Sequence, residues 1–181
     1  MPTYVALLRG VNVGKAKRVP MAELRQLLGG LGYTNVSTLL NSGNAVFRTA
    51  AASRATLASD IAAAISRKLG LEVTVVVKSA KDIASVVAEN PLAPAPADHS
   101  RLLVAFTQDA KGLLSLVAIA ERVTAPERFF VGKHSAYLHC ANGILESDAG
   151  VALLGKTGRA ATTRNWATVL KLHKLANEAT P

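Results

Sequence analysis

The sequence predicts an α+β protein of two halves packed together, ending in a helical segment. Three observations predict it. Short β-favouring apolar runs alternate with stretches whose apolar residues fall at helical spacing. A β-α-β-β order recurs at a spacing of about one hundred residues, the mark of a structural duplication. Half of the 181 residues are hydrophobic, which supplies a sizeable core and excludes wholesale disorder.

Thr3 to Leu8 is a short apolar run with a β-favouring start, read as the first strand. Arg9 to Val19 is a loop. Pro20 suits the first position of a helix, where its missing N–H costs nothing, and Glu23 is favourable in the first turn. Leu24, Leu27, Leu28 and Leu31 mark one face of that helix, and Gly32 ends it as a left-handed cap. Asn35 to Leu40 and Ala45 to Thr49 read as a hairpin with Ser42-Gly43 as a two-residue turn. Ser53 caps a second helix whose inward residues are Leu57, Ile61, Ile65 and Leu69, and Gly70 stops it. Glu72 to Lys78 is a Val-rich strand, and Ser79-x-x-Asp82 is a capping box opening a short helix to Asn90. The order β-α-β-β-α-β plus a helix is the ferredoxin-like arrangement.

Pro91, Pro94 and Pro96 punctuate an Ala/Pro stretch that reads as a linker. The predicted division is residues 1–92, a linker at 93–97, and residues 98–181. In the second half Arg101 to Thr107 is a strand, and Asp109 caps a helix running to about Val123. Arg128 to Gly132 and Ala136 to Cys140 form a second hairpin. Asp148 to Leu154 is a short helix, and Arg164 to Asn177 a longer one preceded by Thr162-Thr163. The expected fold is thus two ferredoxin-like halves, the second carrying a terminal helix.

The formal net charge is +9, from 21 Lys and Arg against 12 Asp and Glu. Such a field favours polyanions or phosphorylated ligands as partners. Aromatic residues make up only 4% of the chain, which argues against a base-stacking platform. Cys140 is the sole cysteine, so no intrachain disulfide forms and a reducing compartment is expected. MPTYVALLRG has no basic region ahead of an apolar run and no cleavage site. Apolar runs fall far short of the ~18 residues a bilayer span requires. A soluble cytoplasmic protein with no membrane partner is expected; nothing in the sequence speaks to its oligomeric state.

Polar, cationic and glycine-rich residues gather at a few junctions. Gly10-Val11-Asn12-Val13-Gly14-Lys15 joins a strand to a helix, where glycine backbone can approach a phosphate. Its spacing is one residue short of the Walker phosphate loop, and no hydroxyl residue follows Lys15. Gly150-x-x-x-x-Gly155-Lys156-Thr157 matches that pattern formally, but its intervening Val-Ala-Leu-Leu suits an apolar helix face with Gly155 as its cap. Thr162-Thr163-Arg164-Asn165-Trp166 reads as a capped helix start able to face an anion, with Trp166 packing inward. Gly43 to Phe47 resembles a ribonucleoprotein strand only faintly, since Phe47 is its one aromatic.

His139 and Cys140 are adjacent on a strand and point to opposite faces, so they form no nucleophile–base pair. His99, His134 and His173 share no metal-ligand spacing with a cysteine or carboxylate pair. No acid–base pair, metal site, cofactor motif or activated nucleophile stands out, and the reading leans away from an enzyme.

The blocks ALLRGVNVG, KRVPMAELRQLL, YTNV and LNSGNAVF, with TTRNWATVLKL near the end, resemble the bacterial family called domain of unknown function 1697. The resemblance spans nearly the whole chain and implies an α+β fold of two ferredoxin-like halves. It implies no activity. Residues 155–161, GKTGRAA, depart from it by being rich in glycine and alanine.

The leading expectation is a binding protein for nucleic acid or a phosphorylated small molecule. Arg9, Asn12, Lys15 and Arg18 would contact phosphates. Asn41, Ser42 and Asn44 would add hydrogen bonds from the hairpin, and Lys156, Arg164 and Asn165 would come from the C-terminal segment. One alternative is an enzyme acting on an anionic small molecule in a cleft between the halves. Another is a protein–protein interaction module.

Overall fold

A computed structural model describes residues 1–50, 52–92 and 96–180. Most of the expected 93–97 linker therefore lies outside the described residues. The chain is α+β, with two four-stranded antiparallel sheets and six α-helices among the described residues. It divides into two compact units, one made of Met1–Lys81 and Leu172–Pro181, the other of Asp82–Lys171.

The first unit contains β1 (Thr3–Leu8), α1 (Met21–Gly30), β2 (Thr34–Leu39), β3 (Asn44–Arg48), α2 (Arg54–Leu69) and β4 (Val75–Ser79). Its sheet runs β2-β3-β1-β4. Alternation places Tyr4, Ala6 and Leu8 of β1, Ala45 and Phe47 of β3, and Val75 and Val77 of β4 in one core. Leu24 and Leu28 from α1, with Leu57, Ile61 and Ile65 from α2, join them there. Phe47 stacks between Tyr33 and Tyr4, with ring centroids 4.6 and 5.9 Å away.

Local signals set most of these ends. Ser53 Oγ accepts from the Thr56 N–H at 3.0 Å to open α2, and Gly70 closes it in the left-handed conformation at φ 65°. Three expectations need adjusting. Pro20 is extended at ψ 134° and precedes α1 as its cap rather than occupying the first helical position. The β2–β3 connection is four residues, Leu40 to Gly43, because Leu39 pairs with Asn44. β4 begins at Val75, three residues after the expected Glu72, whose carboxylate accepts from Ser66 Oγ at 2.7 Å. The end of the chain also belongs here, with Thr3 Oγ1 donating to the Ala179 carbonyl at 3.3 Å.

The second unit takes α3 (Ala80–Glu89) from Asp82 onward. It continues with β5 (Leu102–Thr107), α4 (Ala110–Ser115), β6 (Arg128–Val131), β7 (Ala136–His139), α5 (Asp148–Leu154), β8 (Ala161–Asn165) and the start of α6 (Trp166–Glu178). Its sheet runs β6-β7-β5-β8. Leu103, Ala105 and Leu138 form a core with Leu113 of α4, Ala149 and Leu153 of α5, and Leu116 and Ile119. Asp109 Oδ1 accepts from the Gly112 N–H at 2.7 Å, the cap expected of it, but the α-helix ends at Ser115 and tightens into a 3-10 turn over Leu116–Arg122.

The helix expected over Arg164 to Asn177 forms as α6, but it starts two residues later than expected and is not capped by Thr162-Thr163. Those threonines and Arg164 belong to β8, where Val104 faces Arg164 and Phe106 faces Thr162 across the ladder. Two β-branched threonines suit a strand, and their pairing leaves β5 covered on both edges. α6 starts at Trp166, and the cap is Asn165, whose Oδ1 accepts from the Thr168 N–H at 2.9 Å. Among the described residues no helix is long and apolar enough to cross a membrane.

Candidate functional site

The loop after β1 is anchored by two buried valines, Val11 and Val19, with residues 13–18 exposed between them. Four of its residues have positive φ, namely Gly10 (64°), Asn12 (57°), Gly14 (61°) and Lys17 (48°). The Asn12 N–H donates to the Lys17 carbonyl at 3.0 Å and closes the loop on itself.

The Asn12 side chain fixes this loop to its surroundings. Its Oδ1 accepts from the Val19 N–H at 2.9 Å, while its Nδ2 donates to the carbonyls of Val19 (2.8 Å) and Asn41 (2.6 Å). Asn12 thus ties the loop's exit to the tip of the β2–β3 hairpin. Gly43 explains why that tip can come so close. Its φ is 82°, its carbonyl accepts from the Leu8 N–H at 2.8 Å, and a Cβ there would stand 2.7 Å from both Leu8 Cβ and Val11 Cγ2. Fully buried Asn44 braces the tip, its Nδ2 donating to the Leu39 carbonyl and Ser42 Oγ, both at 2.9 Å.

The junction leaves a pocket of about 290 Å³ lined by Asn12, Arg18, Val19, Pro20, Met21 and Asn41. Three of the ten sequence-derived candidates, Asn12, Arg18 and Asn41, therefore share one pocket at the entry to α1. Lys15 and Ser42 are exposed in the same loop and tip. Arg9 is partly buried, and desolvation lowers its guanidinium pKa.

The remaining candidates belong to the second unit. Arg164 is buried in β8, where Nη1 donates to Thr162 Oγ1 at 2.9 Å and the Thr163 carbonyl at 2.7 Å. Desolvation lowers its pKa to about 10, which leaves it cationic at neutral pH. Asn165 is spent on the α6 cap. Lys156 lies in the exposed turn after α5 and lines a pocket with Lys111 and Arg159, two cations the sequence reading passed over. The formal Walker match falls on a helix, a turn and then a strand, the reverse of the strand–loop–helix order it requires. Cys140 is buried and burial pushes its thiol pKa up, so it is no activated nucleophile.

Residues 1–137 match the model of a family described as a protein of unknown function, DUF1697. No curated protein matches the chain. The structure of a conserved bacterial protein, SP0830 from Streptococcus pneumoniae, is similar at 25% identity with a TM-score of 0.79. That likeness covers 97% of this chain and 98% of the other.

Proposed function

We propose, for a chain that belongs to the DUF1697 family of proteins of unknown function, that the pocket between the residue 9–19 loop and the β2–β3 tip holds the phosphate of a small phosphorylated ligand. One observation carries this reading: Arg18, the clamp residue Asn12 and the tip residue Asn41 line the same pocket. Arg18 supplies a guanidinium suited to a phosphate. The pocket also opens at the first turn of α1, where unsatisfied N–H groups and the helix dipole favour an anion. Lys15 and Lys17 raise the local potential from the exposed part of the loop. Asn12 has committed its amide to main-chain partners, so its part is to shape the wall. A volume of about 290 Å³ suits a compact ligand better than a nucleic-acid strand.

The same reading treats each unit as ferredoxin-like. The sheet orders, read as β4-β1-β3-β2 and β8-β5-β7-β6, with a helix between first and second and between third and fourth strands, support it. The lone buried cysteine fits a reducing, cytoplasmic setting.

Thermal denaturation with inorganic phosphate and a panel of phosphorylated metabolites tests the proposal. A ligand that binds only the folded chain raises Tm by mass action. The expected result is a rise that is lost in Arg18→Ala. A rise that persists in that variant, or no rise with any member of the panel, would overturn the assignment.

A further inference from the structure

We propose that the second unit carries its own site for a compact, multiply charged phosphate group, held by Lys111, Lys156 and Arg159. The three cations come from two separated segments and line one pocket of about 440 Å³ with Thr157, Ser115 and Asp109. None of the three cations has an ion-pair partner among the described residues. The pocket's one carboxylate, Asp109, is engaged by the Gly112 N–H at 2.7 Å. Its lining therefore carries three positive charges against one negative. Three cations set against a single carboxylate leave an excess of positive charge that raises the energy of the folded chain, and a bound polyanion relieves it.

The cations stand on a rigid frame. The turn after α5 is held by the Gly158 N–H on the Ala152 carbonyl (3.1 Å), the Arg159 N–H on the Lys156 carbonyl (3.2 Å) and the Ala161 N–H on the Gly158 carbonyl (2.9 Å). A Cβ at Gly158 would overlap the Leu153 carbonyl oxygen, so the main chain of the turn packs directly against the end of α5. On the opposite side Gly112 packs tightly, its missing Cβ position 3.2 Å from Thr107 Cβ and 3.5 Å from Ala160 Cβ, and this brings α4 with Lys111 against the turn.

The lining also selects among anions. No aromatic ring faces the pocket, so it offers nothing for a nucleobase to stack on. Two ammonium groups and a guanidinium exceed what one carboxylate would neutralise, whereas a diphosphate has charge and oxygen atoms enough for all three. The Thr157 hydroxyl adds a neutral donor. The chemical class is a pyrophosphate or a terminal diphosphate ester. This site shares no residue with the Arg18 pocket of the first unit and stands or falls separately.

Titration of the full-length, nitrogen-15-labelled chain with inorganic pyrophosphate at low ionic strength tests the site. The expected result is saturable shifts of the Gly112, Thr157 and Arg159 amide signals. In Lys156→Ala/Arg159→Ala they weaken by roughly tenfold or more in affinity, the scale of lost charge-assisted contacts. They survive in Arg18→Ala, which separates this site from the first. Both replaced side chains are exposed, and Lys111→Gln, on the other segment, supplies a second variant expected to weaken binding. Three results would overturn the proposal: no saturable shift at these amides, shifts unchanged in the double variant, or shifts produced by a single-stranded oligonucleotide but not by pyrophosphate.

Discussion

The Tyr137 hydroxyl lies 3.3 Å from Glu89 Oε1, and the same carboxylate closes the turn between β6 and β7. Glu89 accepts from the N–H groups of Lys133 at 2.9 Å and His134 at 3.2 Å. A Cβ at Gly132 would run into this carboxylate, so the glycine leaves room for Glu89 to reach the turn in its present position. Tyr137 is fully buried and also reaches the Val86 carbonyl, at 2.7 Å. One acidic side chain at the end of α3 thus holds both a hairpin turn and a buried phenol.

Replacing Glu89 by alanine is expected to lower stability by about 1–3 kcal/mol in urea denaturation, because two turn N–H groups lose a charged acceptor. The phenol adds a pH dependence. Burial, then the neighbouring Glu89 charge, raises the Tyr137 pKa far above its ordinary value. Above about pH 10 the unfolded tyrosine releases its proton while the folded one keeps it. The folded state then binds more protons, so stability falls as pH rises through that range. Tyr33, raised by burial and then by Asp60, contributes in the same direction. Tyr137→Phe should therefore flatten, without abolishing, the alkaline loss of stability; an unchanged slope would refute it.

How far the sequence revealed this molecule depended on the range of the forces involved. Ser53, Gly70 and Asp109 were readable as caps because a cap involves neighbours within one helical turn. The faces containing Leu24 and Leu28, or Leu57, Ile61 and Ile65, were readable from spacing alone. Thr162 to Asn165 was misread as a helix start because threonines serve caps and strands alike, and pairing with distant β5 decides between them. In the candidate sites, residue types showed through but roles did not. Asn12 looked like a ligand-binding amide, yet its polar atoms are taken up by Val19 and Asn41. Lys111 joins Lys156 and Arg159 only through folding, and no local pattern links them.

The turn after α5 gives a sharper contrast. In a phosphate loop the glycine before the lysine would be the sensitive one, whereas here the requirement falls three residues later. Gly155 has φ −96°, and a Cβ there would be 3.1 Å from the Val151 carbonyl, a tight but adjustable contact. At Gly158 the Cβ would overlap main chain that cannot yield. Gly155→Ala is expected to cost within about 1 kcal/mol. Gly158→Ala should cost about 2–3 kcal/mol or more through overpacking. Paired denaturation curves check this, and equal losses at the two positions would show the turn to be looser than described.

His139 ends β7 opposite Leu102 on one side and Arg128 on the other, and it is 9% exposed. Neither ring nitrogen has a hydrogen-bond partner among the described residues. The nearest carboxylate, Asp98, is 4.0 Å from Nε2, beyond hydrogen-bond range, and it also lies 3.9 Å from Arg101. A contact of that length to a solvent-exposed carboxylate contributes little, while two buried, unpartnered ring nitrogens carry a desolvation penalty. An apolar side chain of similar size removes that penalty and keeps the packing. His139→Leu is therefore expected to leave stability at pH 8 unchanged or to raise it by up to about 1 kcal/mol, since removing an unsatisfied polar group is neutral or favourable. His139→Ala serves as the companion, because it removes the same nitrogens but opens a cavity and should destabilise. A loss of more than about 1 kcal/mol in the leucine variant, measured by urea denaturation, would mean that the imidazole makes an interaction beyond these contacts.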